Sequence, residues 1–407
     1  MAGFFTKHET QSTDRPDGKK RTCYACGLYK TCVSPKMEPY GNFKKKILNI
    51  GDAPTEIDDD KGRPFQGKAG RLLERTYAKY GIDLFEDCLS INAVNCLPKT
   101  SEDEARVPTN KEIECCRRSV FSYIEKYKPK VIVLFGGQAV YSIIAHRWKK
   151  DLKTINEWRG WIIPDQEIKA WICPTFHPAY VDKMEKKEVY NIWEDDLLKI
   201  AGMVNKPLYI DKEPEIIYLK NLRKLTTIPD DSIISIDYET TGLKPHGEGH
   251  TIVCASVALN ENKAYVFEMP KDEVERDVYI SLLKNNSIKK MAHNLKFEEN
   301  WSFGILKTRV RGWDWDSMLA AHILDNRSGI TGLKFQTYVN FGIIDYSSHL
   351  ERWLGTEGKS ANEINKAQEF FSTPTGRLEL MKYCALDTIY QYRLANKQKP
   401  LFDELPF

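Results

Sequence analysis

Four short apolar runs alternate with helical patterns through the first two hundred residues of the chain. Between these runs, apolar residues recur every three or four positions, which is the spacing of an amphipathic helix. Strands that alternate with helices predict right-handed βαβ units and a parallel sheet covered on both faces. The predicted strands are KKILNIGD (45–52), CLSINAVN (88–95), KVIVLFGG (130–137) and KAWICPTF (169–176).

A different pattern follows a connector that begins near residue 203. Three strand candidates come first, and the remainder of the chain is mostly helical in pattern. This order predicts an α/β or α+β domain that is distinct from the first domain. The predicted strands are SIISIDYE (232–239), TIVCASVAL (251–259) and KAYVFEM (263–269). We therefore predict a first domain at 1–205, a linker at 206–225 and a second domain at 226–407.

The composition is that of a soluble globular protein, with 42% hydrophobic and 29% charged residues. The N-terminal stretch is polar and lacks the apolar core of a signal peptide. No apolar run approaches the roughly 20 residues that span a bilayer. We therefore expect a cytoplasmic protein, in which the ten cysteines are better explained as metal ligands or buried thiols than as disulfides.

Positive charge is concentrated at the start of the chain. Residues 1–50 hold ten Lys or Arg against four Asp or Glu, a balance of +6, whereas the whole chain carries +3. A basic segment of this kind is compatible with binding a phosphate backbone. An ordinary solvated basic terminus explains the same charge equally well.

Two carboxylates stand out inside the first strand of the second domain. Asp237 and Glu239 are two residues apart, so a strand presents both on one face. Neighbouring anions beside a core repel each other unless a cation lies between them. Further oxygen ligands follow at Glu298, which opens a helix, and at Tyr383 and Asp387, which share a helical face. The pattern predicts a divalent metal site.

These positions, taken in order, resemble the three motifs of the DEDDy 3′–5′ exonucleases, the proofreading domains of family A DNA polymerases. The motifs here read DYETTGL, HNLKFEENW and YCALD. The resemblance implies a ribonuclease H-like fold in which Asp237, Glu239 and Asp387 hold two Mg²⁺ or Mn²⁺ ions, with Tyr383 orienting the attacking water. The family usually carries Asp at the fourth acid, Glu298, so we expect altered metal spacing rather than loss of the site.

The first domain offers several thiols at metal-ligand spacing. Cys23 and Cys26 form a C-x-x-C pair, and Cys96 follows the second predicted strand. Cys115 and Cys116 are adjacent on the next predicted helix. Four soft thiolates suit either an iron–sulfur cluster or a tetrahedral zinc ion. The spacing alone leaves both metals open.

Polar residues also lie where strands of the predicted parallel sheet end. Asp52 ends the first strand, Asn92 lies in the second, and His177 follows the fourth. Parallel sheets bind ligands at the carboxyl ends of their strands, so these side chains should converge on one edge. Taken singly, each also has an ordinary structural role, as a turn aspartate, a strand-end asparagine or a satisfied histidine.

Together with GRPFQGKAGRLL and FHPAY, these residues resemble the family 4 uracil-DNA glycosylases over about residues 20–205. The resemblance implies a uracil-DNA glycosylase-like α/β domain with a parallel sheet and a 4Fe–4S cluster. The implied cluster ligands are Cys23, Cys26, Cys96 and Cys116, the last being the second of the two adjacent cysteines.

The same resemblance implies a role for each residue at the sheet edge. Phe65 would stack on an extruded uracil, Asn92 would read its polar edge, and His177 would stabilise charge on the departing base. Val181 would insert into the duplex as an apolar wedge. Asp52 falls where the family has an acid that positions a water molecule.

One loop departs from the family pattern. The sequence GDAPT carries Asp52 and Thr55 where the family usually has Glu and Gly. A shorter acid retracts its water molecule, and Thr lacks the backbone freedom of Gly. We therefore expect the first domain to bind DNA and to excise uracil slowly.

A glycosylase-like domain followed by a proofreading exonuclease resembles the N-terminal portion of certain phage family A DNA polymerases. Either the chain is part of a longer polymerase, or it is separately encoded and works with a polymerase subunit. The expected partners are single-stranded DNA and primer 3′ ends, in the cytoplasm of a bacterial host if the chain is phage-encoded. Two alternatives stay open: a first domain that only grips DNA, and a nuclease that acts on RNA.

Overall fold

The computed structural model describes residues 22–355 and 363–404. The chain divides into two compact units, with the boundary between Ile210 and Asp211. The polar start of the chain and part of its basic segment precede residue 22 and lie outside the described residues. In the described ranges, no helix combines the length and the apolar character needed to cross a membrane.

A five-stranded sheet forms the centre of the first unit. Its strands are β1 (Ile47–Gly51), β2 (Cys88–Asn92), β3 (Val131–Phe135), β4 (Ile163–Asp165) and β5 (Ala170–Thr175). They lie in the order β2-β1-β3-β5-β4, and all neighbours are parallel except β4 and β5. The predicted parallel sheet is confirmed. The sequence pattern does not reveal β4, because this strand has three residues with a central proline.

Helices connect these strands and supply the core. They are α1 (Cys23–Cys26), α2 (Glu56–Lys61), α3 (Lys68–Lys79), α4 (Asn110–Tyr127), α5 (Gly137–Ile143), α6 (Ile155–Trp158), α7 (Pro178–Met184) and α8 (Lys187–Ala201). Leu73 and Tyr77 lie four residues apart on α3 and share one buried face. They belong to one core cluster with Trp193 of α8 and with Ile47 and Val131 of the sheet. This packing fixes the sheet whose carboxyl edge carries the candidate site.

A six-stranded mixed sheet forms the centre of the second unit. Its strands are β6 (Glu215–Tyr218), β7 (Ile233–Thr240), β8 (Ile252–Asn260), β9 (Lys263–Glu268), β10 (Lys289–Ala292) and β11 (Trp313–Asp316). They lie in the order β11-β10-β7-β8-β9-β6, and only β8 runs antiparallel to its neighbours. Counted from β7, the order 3-2-1-4-5 with an antiparallel second strand is the ribonuclease H-like arrangement that the resemblance implied.

The described helices of the second unit pack around this sheet. They are α9 (Glu273–Lys284), α10 (Leu295–Leu306), α11 (Ser317–Leu324), α12 (Leu333–Phe341), α13 (Glu351–Leu354), α14 (Ala367–Phe371) and α15 (Pro374–Asp403). The long α15 begins with Thr373 as its cap and proline in its first turn. Its Leu380 and Cys384 pack in one cluster with Val253 and Val266 of the sheet. That contact brings the helix carrying Tyr383 and Asp387 beside β7.

The predicted linker at 206–225 is not entirely a linker. Residues 215–218 form β6, which pairs in parallel with β9 at the edge of the second sheet. Leu222 and Leu225 are each 2% exposed and belong to the core of the second unit. Long-range strand pairing and packing therefore order a segment whose local pattern is weak.

Candidate functional site

Three predicted side chains converge around Gly51, at the carboxyl end of β1. A β-carbon built on this glycine would lie 2.5 Å from Asn92 Oδ1, 3.1 Å from Phe65 Cζ and 3.6 Å from His177 Nε2. A larger residue here would therefore fill the space that the three side chains share. The register of the parallel strands places Gly51 directly beside Asn92, as expected for two strands that end at one sheet edge.

The loop after α2 holds Phe65 with a left-handed backbone, at φ +60°. The Asp58 carboxylate fixes this loop by accepting the backbone N–H of Gln66 at 2.6 Å. The Phe65 ring lies nearly parallel to the His177 ring, with 18° between planes and 6.3 Å between centroids. It also packs edge-on against Phe135. The loop thus provides a rigid aromatic side chain, which is suited to stacking against a base.

Asn92 directs a buried amide into the same space. Its side chain is 4% exposed, and its amide nitrogen has no hydrogen-bond partner in the described part of the chain. Its backbone is fixed, because the Asn92 N–H donates to Asn95 Oδ1 at 3.0 Å. A buried amide without a partner costs free energy, which a ligand with a complementary polar edge would recover.

His177 is neutral at physiological pH. It caps α7, where its Nδ1 accepts the backbone N–H of Ala179 at 3.1 Å. Burial lowers the pKa of His177 to about 4, because desolvation disfavours the imidazolium. Since Nδ1 accepts, the proton of the neutral ring lies on Nε2, the atom nearest Gly51. His177 therefore offers an N–H donor without carrying a charge.

Asp52 is anchored on the start of α5. Its carboxylate accepts the backbone N–H groups of Gln138 and Ala139. It lies so close to Gly136 that a β-carbon there would be 2.7 Å from both oxygens. Burial raises the pKa of Asp52 to about 7, against the opposing effect of the two hydrogen bonds. The carboxyl group can therefore gain or lose a proton near neutral pH.

The expectation that Thr55 lacks the backbone freedom needed at this position is wrong. Thr55 has φ −85° and ψ 171°, an extended conformation that any residue adopts. Its hydroxyl accepts the Asp58 N–H at 3.3 Å, and the Asp58 carboxylate accepts the Thr55 N–H at 2.9 Å. Thr55 caps α2 through this reciprocal pair and does not strain the loop.

Val181, the predicted wedge residue, is buried in this structure. The residue is 4% exposed and belongs to the core cluster that contains Phe65 and Trp193. The neighbouring Tyr180 on α7 points outward and is 43% exposed. The role of Val181 as a wedge stays a prediction, and it requires the residue to leave this core when DNA is bound.

Four predicted thiols line one cavity of the first unit: Cys23, Cys26, Cys96 and Cys116. The adjacent Cys115 is buried but does not line that cavity. Burial raises the pKa of Cys96 to about 11 and of Cys116 to about 12, and repulsion from other thiolates adds to both shifts. A metal group would remove that repulsion, so the donor set fits a thiolate-bound cluster.

A fifth thiol lies beside this cavity without an assignment from the sequence. Cys32 hydrogen-bonds with Cys96, one of the four thiols that line the cavity. The next two backbone N–H groups, of Val33 and Ser34, donate to the Asp59 carboxylate at 2.9 and 2.8 Å. Asp59 follows Asp58, which fixes the loop of the aromatic ring. Two adjacent acids of α2 therefore hold different segments. Asp59 fixes the chain beside the cysteine cavity, and Asp58 fixes the loop that carries Phe65.

Three predicted carboxylates of the second unit lie near one another: the buried Glu239 and the half-buried Asp237 on β7, and the buried Glu298 on α10. Asp237 Oδ2 and Glu298 Oε2 have no hydrogen-bond partner among the described residues. Burial raises the pKa of all three carboxyl groups well above the usual range, and repulsion from neighbouring carboxylates adds to the shift. A divalent cation would reverse both effects, so these oxygens fit a metal.

Asp387 is held by two residues that the sequence analysis did not assign. Its Oδ1 accepts the Tyr346 O–H at 2.7 Å and pairs with the ammonium of Lys334. Tyr383, one turn earlier on α15, also hydrogen-bonds with Asp387. No spacing rule singles out Lys334 or Tyr346, because both lie far from Asp387 in sequence.

Cys384 places a thiol beside two of these acids. Its Sγ and one carboxylate oxygen from each of Asp237 and Glu239 all lie within 4.8 Å of one another. The thiol is buried and lies 3.2 Å from Ser256 Oγ, within hydrogen-bonding distance. The centre therefore combines hard oxygen ligands with one soft neighbour.

Comparisons with known proteins match each unit to a family. The model of the uracil DNA glycosylase superfamily matches residues 38–197, and that of the 3′-5′ exonuclease family matches residues 214–402. NrnC of Brucella melitensis with bound Mg²⁺ is among the similar solved structures, with 19% identity and a TM-score of 0.34. That match covers 47% of this chain and 82% of the other.

Two curated relatives extend these matches. A type-4 uracil-DNA glycosylase of Archaeoglobus fulgidus is 30% identical over 190 residues, which cover 46% of this chain and 89% of that protein. A DNA polymerase of Bacillus phage SP01 is 23% identical over 413 residues, which cover 91% of this chain and 42% of the polymerase. The chain belongs to the type-4 uracil-DNA glycosylase family through its first unit, and its second unit is a 3′–5′ exonuclease domain.

Proposed function

We propose that the chain is a DNA-processing enzyme with two activities, in which the first unit excises uracil and the second degrades DNA from its 3′ end. The observation that carries the first activity is the convergence of Phe65, Asn92 and His177 around Gly51. A flat ring, an unpaired amide and a neutral N–H donor in one small space match the chemistry of an extruded pyrimidine.

Each residue of this pocket has a distinct role in excision. The extruded base would stack on Phe65, and its polar edge would meet the Asn92 amide. His177 would donate its Nε2 proton in a hydrogen bond to a base oxygen as negative charge develops there. A neutral imidazole serves this role, in keeping with a pKa of about 4. Asp52, whose pKa is about 7, would hold the attacking water.

A 4Fe–4S cluster is the metal group that we propose for the first unit, with zinc as the alternative. Its ligands would be the four thiols of the cavity: Cys23, Cys26, Cys96 and Cys116. These come from α1, from the loop after β2 and from α4. The cluster would join these segments and supply no chemistry to base excision. The loop after β2 directly follows Asn92, so the same metal group would help to position the base-reading amide.

The second unit would use two Mg²⁺ or Mn²⁺ ions, held by Asp237, Glu239 and Asp387, with Glu298 contributing its longer side chain. Such ions activate water and stabilise the leaving 3′-oxygen. Tyr383 would orient the attacking water through its hydroxyl. The observation that carries this role is the pair of buried carboxylate oxygens without partners, on Asp237 and Glu298.

We further propose that the enzyme works beside a DNA polymerase in the cytoplasm of a bacterial host. The likeness to the phage polymerase over 91% of this chain supports that setting. Proofreading requires a nuclease at primer 3′ ends, and uracil excision removes a base that a polymerase would copy as thymine.

The test uses a 5′-labelled single-stranded DNA with one internal uracil and an RNA of matched sequence. With Mg²⁺, the DNA should be shortened progressively from its 3′ end, and faster than the RNA. With EDTA in place of Mg²⁺, only an alkali-labile break at the uracil should appear. Preferential digestion of the RNA would favour a ribonuclease. An intact uracil in EDTA, with DNA still bound, would favour a first unit that only grips DNA.

A further inference from the structure

α12 directs Lys334 into the buried acids of the second unit. Its ammonium pairs with Asp387, and the two side chains are only 13% and 10% exposed. The oxygen that it contacts, Asp387 Oδ1, also accepts the Tyr346 O–H at 2.7 Å. A carboxylate that would serve as a metal ligand is therefore already engaged by a cation of the chain itself.

Two tyrosine rings enclose the same ammonium. Lys334 Nζ lies 3.9 Å from the centroid of the Tyr346 ring and 4.1 Å from that of Tyr383. Cation–π attraction of this kind is strongest where water is excluded. The ammonium also offsets repulsion at Asp237 and Glu239, because its charge lowers the pKa of both. Lys334 therefore interacts directly with the acids of the proposed metal centre.

We propose that Lys334 is the resident cation of the nuclease centre, which neutralises Asp387 while no metal is bound and releases that carboxylate when a divalent ion binds. The inference rests on the proposed function, because it takes Asp387 as a metal ligand. Lys334 is a positioning residue in this scheme, since it acts through Asp387 and not on the reacting atoms.

The energetics follow from charge. An ammonium and a divalent ion on the same buried carboxylate repel each other. A divalent ion that binds Asp387 therefore competes with Lys334, which weakens the affinity for metal. The pair also stabilises the metal-free folded state, because a buried carboxylate without a counter-ion lowers the free energy of unfolding. Removal of the lysine should tighten metal binding and weaken the metal-free fold.

The test compares Lys334→Met with the wild type in the full chain. Methionine keeps most of the length and apolar stem of lysine and removes its charge. By electron paramagnetic resonance, the variant should bind Mn²⁺ at least about tenfold more tightly, because no ammonium competes for Asp387. Without metal, its melting temperature should be lower than that of the wild type. Unchanged or weaker Mn²⁺ binding by this variant would overturn the proposal.

Lys399→Met is the matched control. Lys399 pairs with Asp314 at 2.6 Å and lies 5.6 Å from the centroid of the Trp315 ring, so it also combines an ion pair with an aromatic contact. Among the described residues, Lys399 forms its ion pair with Asp314 and none with the acids of the proposed metal centre. Its replacement should leave Mn²⁺ affinity unchanged.

Lys334→Arg covers the case in which Lys334→Met does not fold. Arginine keeps the charge and holds a carboxylate with two N–H groups, so its Mn²⁺ affinity should equal or fall below that of the wild type. Tighter Mn²⁺ binding by Lys334→Arg would contradict the role of Lys334. A wild type that binds no Mn²⁺ would instead overturn the proposed metal centre, and the role of Lys334 with it.

Discussion

The backbone N–H of Asn92 donates to the side-chain oxygen of Asn95 at 3.0 Å, and Asn95 also lines the cysteine cavity. One short turn therefore joins the amide that faces Gly51 to the wall of the proposed cluster site. Cys96, the next residue along the chain, lines the same cavity. The proposed base pocket and the thiols are therefore joined through residues 92–96.

Asn95→Ala tests this connection. Loss of the Asn95 oxygen leaves the Asn92 backbone N–H unpaired, and one hydrogen bond of this kind is worth about 1 kcal/mol. The rate of uracil release in EDTA should fall by about fivefold to tenfold. Iron content should stay at the wild-type level, because all four cavity thiols are retained. An unchanged rate, measured under single-turnover conditions, would show that the turn does not position the amide.

The two adjacent cysteines of α4 should differ in their effect on the metal group. Cys116 lines the cavity with the other three thiols, whereas Cys115 does not. Gently purified wild-type protein should contain iron and sulfide and absorb visible light. Cys116→Ser should lose most of that iron, and Cys115→Ser, its matched control, should keep it. Equal iron loss in both variants would contradict the assignment, and zinc without iron in the wild type would favour the tetrahedral alternative.

Stability should depend on pH through Asp52. Burial raises the pKa of this carboxyl group to about 7, whereas in the unfolded chain it titrates near 4. Between these values the folded state holds a proton that the unfolded state has lost, so stability falls as pH rises. The free energy of unfolding of the wild type, minus that of Asp52→Asn, should therefore decrease from pH 4 to 7 and level off above.

Urea denaturation at several pH values measures this difference. His177 and the other titrating groups are present in both proteins, so their effects cancel to first order. A difference that does not change with pH would show that Asp52 has an ordinary pKa. A difference that increases with pH would mean that the hydrogen bonds from α5 outweigh burial.

Asp237→Ala should remove most nuclease activity and stabilise the metal-free protein. The substitution deletes a proposed metal ligand and also relieves repulsion among buried carboxylates. The melting temperature of a unit of this size rises by about 2–4 °C for each kcal/mol gained. Asp314→Ala, on the exposed part of β11, should change neither DNA digestion nor the response to Mg²⁺. Full digestion by Asp237→Ala would contradict the metal assignment.

Much of this arrangement follows from local rules of sequence. Asn92 and His177 could be placed at one sheet edge because parallel strands end on the same side. Asp237 and Glu239 could be placed on one face because strand side chains alternate. These inferences need only the identity of an element and its direction, which apolar periodicity supplies.

Other features depend on contacts that no local pattern encodes. The sequence does not reveal that Val181 is buried and Tyr180 exposed, because one residue of helical offset decides which of the two faces solvent. The objection to Thr55 failed because its backbone angles are set by the cap that it forms with Asp58. Lys334 reaches Asp387 across 53 positions of sequence, and only the packing of α12 against α15 brings the two together.

Gly51→Ala tests directly whether the space around Gly51 is the uracil pocket. A β-carbon at this position would lie 2.5 Å from Asn92 Oδ1, so the variant should fill the pocket. Free uracil released in EDTA and 3′-end digestion in Mg²⁺ are measured on one preparation. We predict that the wild type shows both activities and that Gly51→Ala loses uracil release while keeping digestion. Uracil release by Gly51→Ala at the wild-type rate would show that uracil binds elsewhere.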